Sequence, residues 1–210
     1  MYDTQALLHH WHHTWAALQC VPAAGLFDEL LQAYRQQQRH YHTLQHLGEC
    51  LQLHTESAHL AQHPADIGLA LWFHDAVYDV HATDNEARSA DWAAAALHTA
   101  GASTATQQHV HALIMATEHT AAPMAGDAAL LADIDLAILG AAPARFAEYE
   151  RQIRQEYAWV PEDVFTEKRQ AVLHSFNARP RIYSTDLFYD RLEAPARANL
   201  KQALGMGGRD

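Results

Sequence analysis

The chain has 210 residues, of which 49% are hydrophobic and 19% charged, a composition that suits one globular domain with a sizeable core. The formal net charge is −11 with histidine neutral. This charge argues against a nucleic-acid backbone as the main partner, because binding many phosphates requires a basic surface. It leaves a small phosphorylated substrate open, since a metal ion and a few Arg or Lys side chains can reverse the local field.

Three features of the sequence predict a cytoplasmic protein without a membrane partner. The two cysteines, Cys20 and Cys50, have no paired spacing, which is typical of thiols in a reducing compartment. The N-terminus lacks the basic and apolar parts of a signal peptide. No apolar run approaches the length of a membrane span.

The pattern of residues along the chain predicts an all-α fold. Alanine is abundant, glycine and proline fall mostly between periodic segments, and no alternating run of Val, Ile and Thr indicates a strand. Apolar residues at helical spacing predict helices in the first part of the chain over about 3–19, 26–34, 42–60, 65–78, 83–99 and 104–119.

His42 and His46 lie on the helix predicted over about 42–60. They are four residues apart and therefore share one face of that helix. Leu44 and Leu47 flank them with apolar side chains. These neighbours favour buried or metal-binding histidines over a pair of histidines on the surface.

A buried segment runs directly into a His-Asp pair. The five residues 69–73 are apolar, and His74 and Asp75 follow at once. Neutral imidazole and carboxylate together suit Mn, Fe, Ni, Co or Zn, and the carboxylate also suits Mg. A hydrogen-bonded core histidine beside a helix-terminal aspartate would give the same pair, so the pair alone leaves both interpretations open.

Two carboxylates interrupt an almost wholly apolar helix that Asp127 begins. Burying an unpaired carboxylate costs several kcal/mol, so at least one of Asp133 and Asp135 needs a partner. The two side chains point about 200° apart around a helix, and we favour Asp135 as the ligand of a buried cation. Further helices are predicted over about 144–159, 162–176 and 185–204.

This ordered set, His…His-Asp…Asp on consecutive helices, resembles the HD-domain superfamily of metal-dependent phosphohydrolases. Tyr41-His42-Thr-Leu-Gln resembles its first-histidine helix, Trp72-Phe-His-Asp75 its central pair, and Asp133-Ile-Asp135-Leu its terminal aspartate segment. Longer segments resemble a bacterial family of predicted HD phosphohydrolases and together extend over most of the chain: 39–46, 70–79, 84–89, 153–160 and 179–183.

The resemblance implies a single HD-type helical domain over residues 1–210, with the C-terminal helices of about 143–204 packed onto the metal-site core. It implies one divalent metal ion, Mn, Mg, Co, Ni, Fe or Zn, with the following ligands: His42, His74, Asp75 and Asp135. His46 occupies a position that is usually apolar in the wider pattern. We assign His46 to the catalytic residues, and its role stays open between a metal ligand, a group behind a ligand and a phosphate contact.

The implied activity is hydrolysis of a phosphomonoester or pyrophosphate in a small, nucleotide-like substrate by metal-activated water. Asp79 is predicted to orient or deprotonate that water, and a role in ending the helix fits Asp79 equally well. Substrate contacts are predicted for Arg39, His119 and Lys168. Nearby polar or cationic side chains are needed because the phosphate is anionic.

Two other functions stay open at the level of the sequence. An HD-type di-iron oxygenase needs further histidines between His74 and Asp135, and His111 and His119 are present. A degenerate HD module that binds a nucleotide or a protein without turnover would carry the same pattern, because a fold does not fix a function. An acidic, alanine-rich helical surface also leaves a homodimer open.

Overall fold

The computed structural model describes residues 4–118 and 125–206, and over these residues the protein is all-α, as predicted. No strand occurs in either described range. Short 3₁₀ segments lie at Ala58–Leu60, Ala116–Glu118 and Leu136–Gly140. The α-helices are α1 Thr4–Ala17, α2 Leu26–Ala33, α3 Leu44–Ser57, α4 Pro64–Phe73, α5 Asn85–Thr99, α6 Thr104–Met115, α7 Gly126–Asp135, α8 Pro143–Glu156, α9 Glu162–Asn177 and α10 Asp186–Ala203.

The chain divides into two compact units, Met1–Ala132 and Asp133–Asp210, and the division falls inside α7. The predicted single domain, with the helices of about 143–204 packed onto the metal-site core, stays a prediction. None of the described helices combines the length and the apolarity that crossing a bilayer requires.

Helix α4 is the centre of the first unit. It packs against α1, α3, α5 and α6, and every residue from Asp66 to Phe73 is buried. Pro64 is in the first turn of the helix. A proline is tolerated there because N–H groups in the first turn make no hydrogen bond within the helix. Burial of each large apolar side chain contributes ~1.5–3 kcal/mol, so α4 anchors the helices around it.

The C-terminal end of α4 is earlier than the sequence indicates. The helix ends at Phe73, so the prediction of a helix over about 65–78 is wrong in its last part. The Ala76 N–H donates to the Phe73 carbonyl oxygen, three residues earlier, at 2.9 Å. The Val77 N–H donates to Ser89 Oγ at 3.0 Å. Because these N–H groups have partners outside the helical ladder, the chain leaves the helix at the His-Asp pair.

A series of polar groups joins α1, α3 and α4. The Trp72 Nε1–H donates to His10 Nδ1 at 3.1 Å, which places the proton of His10 on Nε2. His10 Nε2 then donates to His54 Nδ1 at 3.0 Å, and His54 Nε2 donates to the Pro64 carbonyl oxygen at 2.8 Å. Each imidazole accepts through one nitrogen and donates through the other, which is the pattern of two neutral rings.

The pKa values of the same two histidines agree with this assignment. Burial and the neighbouring His54 lower the pKa of His10 to about 3. Burial also lowers the pKa of His54, against the hydrogen bond to the Pro64 carbonyl, which raises it. Protonating either ring would place two donors face to face, so the packing of α1 on α3 and α4 depends on neutral imidazoles.

In the second unit, a buried carboxylate holds the segment before α10. Asp133 accepts from the backbone N–H groups of Ser184 and Thr185 at 2.8 and 2.7 Å and from the Thr185 hydroxyl at 2.6 Å. Burial raises the pKa of Asp133, although these hydrogen bonds act to lower it. The hydrogen-bond partners that a buried carboxylate requires are therefore supplied at Asp133 by backbone and hydroxyl groups.

Helix α10 also packs against α9 and the 3₁₀ segment Leu136–Gly140. A Cβ at Gly140 would lie 2.7 Å from Leu192 Cβ and 2.8 Å from the Leu192 carbonyl oxygen. The second contact involves backbone, which cannot rotate away as a side chain can. Glycine is therefore required where this segment meets α10.

Acidification is expected to destabilise the protein through His10 and His54. Because their pKa values are lower in the folded protein than in the unfolded chain, stability is complete above the unfolded value of 6.5 and falls as the pH drops toward the folded value. For one such histidine the loss between pH ~7 and pH ~5.5 is ~1 kcal/mol. Urea unfolding at a series of pH values measures this loss.

The variant His10→Gln removes one titrating ring and is expected to flatten the pH dependence by about that amount. The matched control is His59→Gln, at an exposed histidine of the 3₁₀ segment Ala58–Leu60, which is expected to keep the pH dependence of the parent. Equal slopes for His10→Gln and the parent protein would contradict the assignment of two neutral rings.

Candidate metal centre

Three side chains converge at the C-terminal end of α4. His46 Nε2 lies 3.1 Å from His74 Nε2, and Asp75 Oδ2 lies 3.3 Å from His46 Nε2 and 3.1 Å from His74 Nε2. Both histidines are buried, with 2% of their surface exposed, and Asp75 is half-buried. We call these three residues the His46–His74–Asp75 triad.

A backbone contact fixes the orientation of His74. This residue caps the C-terminal end of α4, and its Nδ1 lies 2.8 Å from the Leu71 carbonyl oxygen. A carbonyl oxygen can only accept, so the ring proton is on Nδ1 and the lone pair of Nε2 points into the triad. A carbonyl behind an imidazole in this way is the common means of orienting a metal-binding histidine.

The phenol of Tyr41 orients His46. Tyr41 Oη lies 3.0 Å from His46 Nδ1, and the two ring centroids are 4.7 Å apart. When the phenol accepts from Nδ1–H, His46 also presents a lone pair at Nε2, and three electron-rich atoms face one another. Only a cation between them makes this arrangement favourable. In the other tautomer the Nε2–H of His46 is a hydrogen-bond donor in that place, so the three atoms meet around either a cation or a donated hydrogen.

The carboxylate of Asp75 is held in its ionised form. Burial acts to raise its pKa, but the neighbouring His74, His42 and His46 outweigh burial and hold the pKa well below its usual range. The ionised carboxylate is the form that binds a metal ion. At neutral pH the triad therefore combines one negative charge with two imidazoles.

The spacing of the triad suits a first-row divalent cation. Ligands ~2.0–2.2 Å from such an ion lie ~3.0 Å apart at right angles and ~3.4 Å apart in a tetrahedron. The three distances, 3.1 to 3.3 Å, fall between these values. Two imidazole nitrogens and one carboxylate oxygen suit Mn, Fe, Co, Ni or Zn better than Mg, which prefers oxygen ligands. The triad is therefore a group of side chains that can hold a metal ion.

Cys50 lies beside the triad, and reasoning from the sequence missed it. Its Sγ is 3.7 Å from Nδ1 and 3.8 Å from Nε2 of His46, and within 4.8 Å of the ligand nitrogen of His74. Cys50 follows His46 by one turn of α3, so the two share a face. That four-residue spacing is the available signal, but a lone cysteine in a reducing compartment is more simply interpreted as a buried thiol.

His42, which the resemblance implies as a ligand, lies near the triad. Because α3 begins at Leu44, His42 precedes the helix, and the prediction that it shares a helix face with His46 is wrong. Its ring stacks on Tyr78 with centroids 4.1 Å apart, and its centroid is 5.9 Å from that of His46. His42 also contributes to the low pKa of Asp75. The ligand role of His42 stays a prediction. His46, assigned from the sequence to catalysis, is the histidine that the structure brings against His74 and Asp75.

The guanidinium of Arg39 holds the backbone beside the triad. Arg39 is buried and donates to the carbonyl oxygens of His42, Asp75 and Ala76. These contacts join the segment before α3 to the segment after α4, although Arg39 and Asp75 are 36 residues apart in the chain. Arg39 thus positions the backbone of a triad residue. Its predicted contact with substrate stays a prediction.

Asp79 lies exposed in the loop between α4 and α5. Its Oδ1 accepts from the His81 backbone N–H at 2.9 Å, and its own backbone N–H and carbonyl pair with the side chain of Asn85. Because α4 ends at Phe73, Asp79 does not end the helix, which was the other role considered for it. Its predicted role toward the attacking water stays a prediction.

The remaining predicted residues lie elsewhere in the chain. Asp135 is the half-buried last residue of α7, and Lys168 is exposed on α9; both belong to the second unit. His111 Nε2 lies 3.3 Å from Asp91 Oδ1 on α5. His119 lies outside the described residues. The roles assigned to Asp135, Lys168 and His119 stay predictions.

Comparisons of the chain with protein-family models, with curated proteins and with solved structures find no match. The assignment of the triad as a candidate metal centre rests on the distances and hydrogen bonds of the chain itself.

The variant Arg39→Met is expected to lower the free energy of unfolding by ~2–4 kcal/mol, because buried carbonyl oxygens lose their charged donors while the side-chain volume is retained. Arg35→Met is the matched control, since Arg35 is exposed and lies four residues earlier in the same segment between α2 and α3. Its expected effect is below ~0.5 kcal/mol. Equilibrium urea unfolding compares the two variants. Equal stabilities would contradict the positioning role of Arg39.

Proposed function

We propose that this protein is a metal-dependent phosphohydrolase of the HD type, which acts on a small phosphorylated, nucleotide-like substrate. The observation that carries the proposal is the convergence of His46 Nε2, His74 Nε2 and Asp75 Oδ2 within 3.1 to 3.3 Å of one another. The ordered sequence pattern supports the same reaction class. The net charge of −11 argues against a nucleic-acid backbone as the main partner and so favours a small substrate.

The triad residues and their neighbours have different parts in the proposed binding of a cation. Tyr41 and the Leu71 carbonyl orient the two imidazoles, and Asp75 supplies the negative charge. A divalent cation in such a site lowers the pKa of a bound water and polarises a phosphoryl group. Arg39 keeps the backbone of Asp75 in place through two neighbouring carbonyl groups.

The proposal assigns His46 to the metal, which departs from the ligand set that the resemblance implies. The basis is distance: His46 Nε2 is within 3.3 Å of both other triad atoms. His42 stacks on Tyr78 and adds to the field that keeps Asp75 ionised. Asp135 is retained as a predicted further ligand, to be tested by substitution.

Two exposed residues are proposed to act on the reacting groups. Asp79 follows Asp75 by four residues, and its carboxylate is accessible to solvent. We assign to Asp79 the acceptance of the proton from the attacking water. Lys168 is proposed to neutralise phosphate charge, because an ammonium group is a cationic partner for a phosphate.

The first experiment screens the purified chain against nucleotides and simple phosphate esters with Mg, Mn, Co, Ni and Fe(II). We expect metal-dependent release of phosphate or pyrophosphate. His74→Ala/Asp75→Ala is expected to reduce the rate by ~10³-fold or more, because the attacking water is no longer activated. The matched control, His98→Ala/Asp163→Ala, changes an exposed histidine and an exposed aspartate and is expected to keep the rate of the parent.

Three results would overturn the proposal. Full activity of the His74→Ala/Asp75→Ala protein would separate hydrolysis from the triad. Tight binding of a nucleotide without turnover across the whole panel would identify a binding module. Two irons per chain with consumption of oxygen would identify a di-iron oxygenase.

A second experiment decides between His46 and His42 as the metal-holding histidine. The measured quantity is the Mn²⁺ concentration that gives half-maximal hydrolysis. His46→Ala is expected to raise it by ~100-fold or more, whereas His42→Ala, which changes only the surroundings of Asp75, is expected to raise it by ~10-fold or less. The reverse order would return His42 to the ligand position that the resemblance implies.

A further inference from the structure

A second group of histidine and aspartate side chains lies at the N-terminal end of α4. It consists of His63, which precedes the helix, His109 of α6 and Asp127 of α7. One nitrogen or oxygen from each lies within 4.8 Å of the others. Helix α4 has 10 residues, and at ~1.5 Å per residue its two ends are ~15 Å apart. The His63–His109–Asp127 cluster is therefore separate from the triad at the other end.

A carboxylate outside the cluster orients His109. Asp66 is buried, and its Oδ2 lies 2.8 Å from His109 Nδ1. The carboxylate accepts the Nδ1 proton, so the lone pair of His109 is on Nε2. That nitrogen faces Asp127 Oδ2 at 3.9 Å, which is too long for a hydrogen bond. A carboxylate behind an imidazole whose other nitrogen faces a second carboxylate is the arrangement of a metal-binding histidine.

The position of Asp127 is fixed by backbone. It is 6% exposed, its Oδ1 accepts from the Gln62 N–H at 2.7 Å, and its Oδ2 accepts from the His63 N–H at 2.9 Å. His63 Nδ1 lies 3.0 Å from the same Oδ2. Ligands that share one ion at ~2.1 Å lie between ~2.9 and ~4.2 Å apart. Both distances to Asp127 Oδ2, 3.0 and 3.9 Å, fall in this range.

The cluster borders a cleft of about 400 Å³, and all three of its residues line that cleft. His63 is exposed, whereas His109 is half-buried. A cation can therefore enter from solvent. Three protein ligands would leave a coordination position toward the cleft, where water or a small anion can bind.

We propose that His63, His109 and Asp127 form a second metal site, selective for a borderline divalent cation such as Zn²⁺. Two imidazoles and one carboxylate are the ligand set that Zn²⁺ accepts with an open fourth position. Asp66 acts as a positioning residue through His109. The site ties the N-terminal end of α4 to α6 and to the beginning of α7.

The test measures Zn²⁺ binding by equilibrium dialysis and metal analysis of the full chain in which the triad carries His74→Ala/Asp75→Ala. We expect one tightly bound Zn²⁺ per chain. Adding His63→Ala or His109→Ala is expected to weaken binding by ~100-fold or more, and Asp66→Asn by ~10-fold. Because His63 is exposed, His63→Ala removes a ligand without disturbing the packed interior.

His98→Ala is the matched control, an exposed histidine on α5, and is expected to leave the affinity unchanged. Absence of tight binding in the triad-deficient protein would overturn the proposal. Equal affinity after His63→Ala and His109→Ala would do the same. So would binding lost on His9→Ala/His13→Ala instead, which would identify an adventitious ion held by the exposed histidines of α1. Since the triad is absent throughout, these outcomes are independent of any phosphohydrolase activity.

Discussion

Two imidazole nitrogens and a carboxylate oxygen that point at one another need a cation or a hydrogen-bond donor between them, and the end of α4 meets this requirement. The Leu71 carbonyl oxygen fixes the orientation of His74, and the Tyr41 hydroxyl lies within hydrogen-bond distance of His46 Nδ1. Asp75 stays ionised because of its histidine neighbours. A single proton satisfies the arrangement in one tautomer, and a divalent cation satisfies it in the other. The proposed phosphohydrolase activity depends on the second state.

The rigidity of this site comes from the burial of α4. Helices on all sides enclose its apolar residues, so the positions of its two ends are set by the packing of the whole first unit. Both histidine and aspartate clusters lie where α4 begins or ends. The first and last turns of a helix have backbone groups without helical partners, and polar side chains can bind them. The same physical situation places a histidine and aspartate cluster at each end of one helix. The series from Trp72 through His10 and His54 then fixes how α1 and α3 pack against it.

The sequence was sufficient for some features because they depend on local spacing. Apolar periodicity predicts the helices, and the run 69–73 predicts a buried helix that meets a polar site at His74. The early end of α4 could not be predicted, because it involves a hydrogen bond from the Val77 N–H to Ser89, twelve residues later in the chain. The choice of His46 depends on how α3 packs against α4, which no local pattern contains. The second cluster joins His63 to Asp127 across 64 residues, so only the folded chain reveals it.

X-ray diffraction from crystals soaked with Mn²⁺ or Ni²⁺, recorded at the absorption edge of the metal, tests most directly whether the triad holds a cation. We expect an anomalous peak at bonding distance from His46 Nε2, His74 Nε2 and Asp75 Oδ2 together. Clear density for all three side chains without a peak between them, in crystals that bind the metal elsewhere, would contradict it.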